Sequence, residues 1–153
     1  MNKLTIVTYH YVRHIIRSDF PGIKGLEFEN FKSQLDYLED NYKIISTDDV
    51  KDAVINNKSL PDNACWLTFD DGFKDHHKYV MPELVKRNLS GAFFPSSVPI
   101  KQSIVLNVHL IHHILSCCKD IKKLVNDLNI LCKENGISDE QIISNTKNYK
   151  VQS

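Results

Sequence analysis

Trp66-Leu67-Thr68-Phe69-Asp70-Asp71-Gly72 is an apolar run that stops abruptly at two adjacent carboxylates and a glycine. Residues 64–69 are short-run, aromatic and β-branched, and they follow the turn residues Pro61-Asp62-Asn63, so they predict a buried β-strand. Asp70 and Asp71 then stand at its C-terminal end, where parallel sheets gather ligands and chemistry. Adjacent carboxylates repel unless a cation or a shared proton compensates. A metal-assisted reaction is one reading of the pair. A plain turn, with the aspartates solvated or capping a helix, is the other.

Outward from this strand the chain alternates. Residues 4–9 predict a first strand that ends at His10, followed by a loop punctuated by Pro21-Gly22 and Lys24-Gly25. Phe28, Phe31, Leu35 and Leu38 recur at helical spacing and predict a helix over 29–40. Residues 42–46 predict a short strand. Thr47 then predicts a cap for a second helix, with Asp48 and Asp49 in its first turn and Val50, Ala53 and Val54 as its apolar stripe. A helix over 75–87 is expected either to start at Pro82 or to kink there. Residues 91–94 predict another buried strand, stopped by Pro95. Such alternation indicates βα units around a parallel sheet or barrel.

Beyond residue 105 the pattern is helical. Ile111, Ile114, Leu115, Cys118, Ile121, Val125 and Leu128 trace one face, Gly136 predicts a C-cap, and Ser138 to Gln141 has capping-box spacing. A closed α/β barrel needs roughly 200–250 residues. Four strands and a helical tail therefore predict the front portion of such a domain, with residues 1–100 as the α/β part and 101–153 as a helical, insertion-like segment that reads as cut short.

Composition narrows the class. The 153 residues are 42% apolar and 25% charged, as in ordinary globular proteins, and 19 basic residues balance 19 acidic ones. That balance predicts no nucleic-acid footprint. No apolar run approaches the roughly 20 residues of a membrane span, and the N-terminus lacks the pattern of a secretory signal, so a cytoplasmic location is expected. Cys65, Cys117, Cys118 and Cys132 form no Cys-x-x-Cys pair and predict free thiols, Cys65 as a small core residue. Trp66 is read as core by alternation with its neighbours.

Thr68-Phe69-Asp70-Asp71-Gly72 resembles the first motif of the polysaccharide deacetylases, the NodB-homology enzymes of carbohydrate esterase family four. Thr8-Tyr9-His10-Tyr11 looks like the Tyr-His segment of the first strand in many members. Phe31 to Leu38 looks like the helix between, and Pro82-Glu83-Leu84 with Gly91-Ala92-Phe93-Phe94 looks like the helix and strand that follow. The likeness covers about residues 3–97 in the family's order. It implies a distorted (β/α) barrel and a hydrolase that removes N-acetyl groups from a sugar or glycan. By carry-over of the motif, Asp70 is the general base and Asp71 a ligand to a divalent metal, commonly zinc. Such a metal lowers the pKa of the attacking water, and metal and backbone N–H groups share the developing oxyanion charge. In a resembling subset the strand-end histidine lies by the active site, which makes His10 a candidate. A histidine bonded to a backbone carbonyl is the equal alternative. His14, His76 and His77 read as solvated or loop residues.

The chain departs from the family after residue 100. The family takes two histidine ligands from a His-Ser/Thr-x-x-His motif. Here His109 and His113 have the i, i+4 spacing, but Leu110 stands at the Ser/Thr position and the usual Gly-rich lead-in is missing. The segment around His109, His112 and His113 reads instead as a turn of amphipathic helix whose buried side is Ile111, Ile114 and Leu115. No counterpart of the family's later motifs follows Gly136. Three protein ligands are usual at a catalytic zinc, so weak or no activity of this chain alone is expected. The competing functions are a non-catalytic remnant or interaction module, and a Mg²⁺-dependent phosphoryl-transfer enzyme, the latter without a phosphate-binding Gly-rich loop. Open strand edges and apolar faces predict self-association.

Overall fold

The computed structural model describes residues 3–141 and 143. The chain divides into two compact units, Met1–Ser116 and Cys117–Ser153.

The first unit is α/β. Its central strand is β5 (Ala64–Asp70). Along one edge it pairs with β1 (Leu4–Tyr9), in parallel register from Leu4 opposite Ala64 to Tyr9 opposite Phe69. Further parallel partners are β4 (Lys43–Ile44), at the N-terminal end of β5, and β6 (Ala92–Phe94), at its C-terminal end. Two further strands, β2 (Val12–Arg13) and β3 (Leu26–Glu27), form a small parallel pair of their own inside the segment read as a loop. They are too short to leave a periodic signature. The four-stranded sheet is open.

Alternation along β5 sends Cys65, Leu67 and Phe69 into the main core, where all three are fully buried. Phe31, Leu35 and Leu38 of α1 (Phe28–Asn41) cover that face, with Tyr9, Val80 and Leu84. Tyr9 stacks on Phe69 at 5.2 Å and meets Phe31 edge-on at 5.1 Å, while Phe93 stacks on the other side of Phe69 at 4.9 Å. Trp66 points to the opposite face. It is half-buried there, its indole N–H donating to Thr47 Oγ1 at 3.3 Å, so the expected core tryptophan is a packing residue of the sheet's other side.

Two further expectations are corrected in α2 (Thr47–Ile55). Its cap is Ser46, not Thr47: Ser46 Oγ accepts from Asp49 N–H and the Asp49 carboxylate accepts from Ser46 N–H, a reciprocal capping box. None of its residues is buried, and Val54 is 76% exposed. After the aspartates the α-helix starts near Pro82, the first of the two readings. A π-helical turn, His76–Val80, comes first, and α3 (Met81–Lys86) then starts with Pro82 in its first turn. Arg87 closes α3 by pairing with Glu83 and reaches Asp36 and Glu39 on α1. The helical region consists of α4 (Ser97–Gln102), α5 (Asn107–Cys117) and, in the second unit, α6 (Ile121–Glu134).

The continuous helical face expected from Ile111 to Leu128 is interrupted, because the Asp120 carboxylate caps α6 by accepting from the N–H groups of Lys122 and Lys123. Gly136 (φ +75°) ends α6 in a Schellman arrangement, with Ile137 N–H donating to Cys132 O. The Ser138–Gln141 capping box forms as read. Cys65 is a buried free thiol, as read. No helix among the described residues is long and apolar enough to cross a membrane.

Candidate active site

At the end of β5 the backbone turns hard. Asp70 is the last residue of the strand. Asp71 (φ +72°) and Gly72 (φ +66°) both occupy the left-handed region. Aspartate tolerates that region better than most side chains. At Gly72 glycine is demanded twice over, because a Cβ there would lie 2.6 Å from Pro95 Cβ. Asp71 N–H donates to Phe94 O at 3.1 Å and ties the turn to the end of β6.

Each carboxylate meets a histidine. Asp70 Oδ2 lies 3.9 Å from His10 Nε2, a charge contact longer than a hydrogen bond, with both side chains substantially exposed. Parallel pairing of β1 and β5 brings them together: Tyr9 is opposite Phe69, so His10 falls level with Asp70. His10 thus stands beside the aspartate and not on a backbone carbonyl. Its own carbonyl is held instead by His76, whose Nε2–H donates at 2.6 Å. His76 is buried among Phe69, Phe73 and Phe93, contrary to the solvated position expected for it. Burial pushes its pKa below the ordinary 6.5, partly opposed by that hydrogen bond and by Asp75 and Asp71. His77 is exposed, as expected. His14 has specific partners, with Nδ1 3.4 Å from Glu27 Oε1 and its ring against Phe28 and Tyr79.

Asp71 Oδ2 lies 3.3 Å from His109 Nε2. This corrects the expected orientation of α5. Its inward side carries the histidines, with His109 buried, whereas Ile111, Ile114 and Leu115 are about half exposed. An aromatic bed receives that side. His109 packs on Phe73 at 4.8 Å, His113 on Phe20 at 4.4 Å, and the Tyr11 hydroxyl lies 3.3 Å from His112 Nδ1. Tyr11 stacks on Phe73 at 4.2 Å, and burial raises its pKa. Helical periodicity admits either face, and here the His109 and His113 side lies on the aromatic rings.

His109 Nε2 is buried and makes no hydrogen bond, despite its closeness to Asp71. Two donors held near each other without a hydrogen bond suit a shared cation. Ligands about 2.0–2.1 Å from one tetrahedral zinc lie about 3.3 Å apart. A carboxylate and a neutral imidazole are also zinc-type donors. Asp71 and His109 therefore fit two positions of such an ion. No group of three His, Cys, Asp or Glu side chains placed to hold a metal occurs among the described residues.

Neither a protein-family model nor a curated protein matches the sequence. Solved structures do. A de-N-acetylase from Aggregatibacter actinomycetemcomitans superimposes with a TM-score of 0.52 at 23% identity, over 65% of this chain and 39% of its own. The chain has the polysaccharide-deacetylase fold. Two other deacetylase-fold matches have lower TM-scores. IcaB from Ammonifex degensii gives 0.48 at 26% identity, over 60% of this chain and 40% of its own. The Streptococcus pyogenes deacetylase PplD, in complex with acetate, gives 0.47 at 21%, over 71% of this chain and 50% of its own. The chain thus spans half or less of the length of each of these three structures.

Proposed function

We propose that this chain is part of a metal-dependent hydrolase that removes N-acetyl groups from a sugar or glycan, its open sheet being one portion of a distorted (β/α) barrel. The reading rests on the end of β5, where the parallel register with β1 sets Asp70 beside His10 and the left-handed turn that follows carries Asp71 beside His109. A divalent ion, zinc by donor type, would be held by Asp71 with His109 and would supply a water of lowered pKa and charge stabilisation for the oxyanion. Asp70, exposed at the strand end and not engaged by that pair, is placed to accept the proton of the attacking water. His10, within charge contact of Asp70, orients that carboxylate, and His76 holds the His10 backbone in place.

Two donors make a weak site, and that observation favours a second reading, a non-catalytic module that keeps the deacetylase fold. One experiment separates the two. Metal-free protein is titrated with Zn²⁺ and with Co²⁺, and acetate release from N-acetylglucosamine oligomers is followed at saturating metal. The hydrolase reading expects one ion per chain, weakened in Asp71→Ala and in His109→Ala, and acetate release that is lost in Asp70→Asn. Metal uptake indifferent to Asp71→Ala, with no acetate released, would establish the non-catalytic module.

A further inference from the structure

A cavity of about 290 Å³ is lined by Arg13, His14, Arg17, Ser18, Asp75 and Tyr79. Its size sits near the lower end of small-ligand pockets, roughly 300–1,000 Å³. Two guanidinium groups share its wall, and their surroundings leave them unequal. Arg13 is mostly buried, lies over the Tyr11 ring at 5.0 Å, and pairs through Nη2 with Asp75. Its Nε is buried and without a hydrogen-bond partner. Arg17 is exposed and makes no ion pair among the described residues.

Two carboxylates near this wall are already occupied. Asp75 is taken by Arg13. Glu27 Oε2 accepts from the N–H groups of Ile15 at 2.8 Å and Ile16 at 3.3 Å, and Glu27 Oε1 faces His14. Those contacts hold the Glu27 carboxyl below its ordinary value against the opposing effect of its desolvation. Ser18 is also engaged, donating to Ile15 O and accepting from Phe20 N–H. What remains for a ligand is the positive charge of Arg17, beside a Tyr79 ring that His14, Phe28 and the Lys78 ammonium already meet.

We infer that this cavity is a binding subsite for an anionic group, a carboxylate or a phosphate ester, carried by a ligand of about monosaccharide size. The guanidinium fork of Arg17 can bind either group in bidentate fashion. The subsite does not depend on the metal reading, because none of its groups is Asp70, Asp71 or His109.

The test uses the full, metal-free chain at low salt, titrated in turn with inorganic phosphate, acetate, glucuronate and glucose while chemical shifts of the arginine side chains and of Tyr79 are followed. Phosphate and the two carboxylates should bind, glucuronate more tightly than acetate, and glucose should not. Phosphate tighter than glucuronate identifies a phosphate ester as the ligand class, and the reverse order a uronate. Arg17→Ala, at an exposed position that leaves folding intact, should weaken anion binding by about tenfold, the loss of one charge-assisted contact, and Arg17→Lys should recover part of it. Equal binding of glucose and glucuronate, anion binding unchanged in Arg17→Ala, or shifts confined to residues outside the cavity would each overturn the inference.

Discussion

At Asp71 the backbone adopts a conformation that costs most side chains energy, and the turn holds it by the Asp71 N–H bond to Phe94 O and by close contact of Gly72 with Pro95. Histidines complete this neighbourhood, and they differ sharply in setting. His10 is exposed beside a carboxylate, whereas His76 is buried with its Nδ1 unpartnered and its Nε2–H committed to His10 O. Protonating His76 means placing a charge in an apolar cage, so its folded pKa lies below the unfolded value. The unfolded chain then binds the extra proton first. Stability from this residue is complete above pH 6.5 and is lost as pH falls toward and through the lower folded value. Denaturant unfolding measured between pH 7.5 and pH 5, values chosen to bracket about 6.5, should show this decline. His76→Gln, which retains a donor, should flatten it. An unchanged pH slope in that variant would refute the assignment.

Among the elements, α1 and α2 show how differently two helices of similar amphipathic pattern are used. Phe31 and Leu35 of α1 are fully buried against Phe69 and Tyr9, whereas α2 buries nothing and is held by its capping box. Phe31→Ala should therefore cost about 3–5 kcal/mol, while Val54→Ala should stay within about 0.5 kcal/mol. Urea unfolding of the two variants checks this; equal losses would mean that α2 is packed as its spacing suggests. The same comparison shows what was legible. Strand β1, strand β5 and helix α1 were readable because long periodic runs admit one buried face. The pairs β2 and β3 and the burial of His76 were not, since two-residue strands carry no period and a histidine's burial depends on rings that arrive from β5, β6 and the turn after β5.

On the scale of the molecule, the sheet is open, and among the described residues β6 pairs only with β5. In the first unit α5 presents Val108, Leu110, Ile111, Ile114 and Leu115 at 45–54% exposure, a row of aliphatic side chains in water. Contiguous apolar surface of this kind favours association. Light scattering of the chain over a range of concentration should show a mass that rises above 17.7 kDa, and Ile111→Glu with Ile114→Glu should return it to the monomer. A monodisperse monomer at every concentration would show that this face is satisfied without a partner.

Sequence alone determined the alternation of the longer strands and helices, the place of Asp70 and Asp71 at a strand end, and the glycine that follows them, because these follow from local patterning and from backbone conformations that few residues tolerate. Tertiary structure decided which histidines meet which aspartates. His10 reaches Asp70 through the parallel register of β1 and β5, separated by some sixty residues of chain, as in the contact of Thr68 with Thr8. His109 reaches Asp71 because α5 lays its imidazole side, and not its aliphatic side, on Tyr11, Phe73 and Phe20. A helical repeat defines two candidate faces, and only the partner surface selects between them.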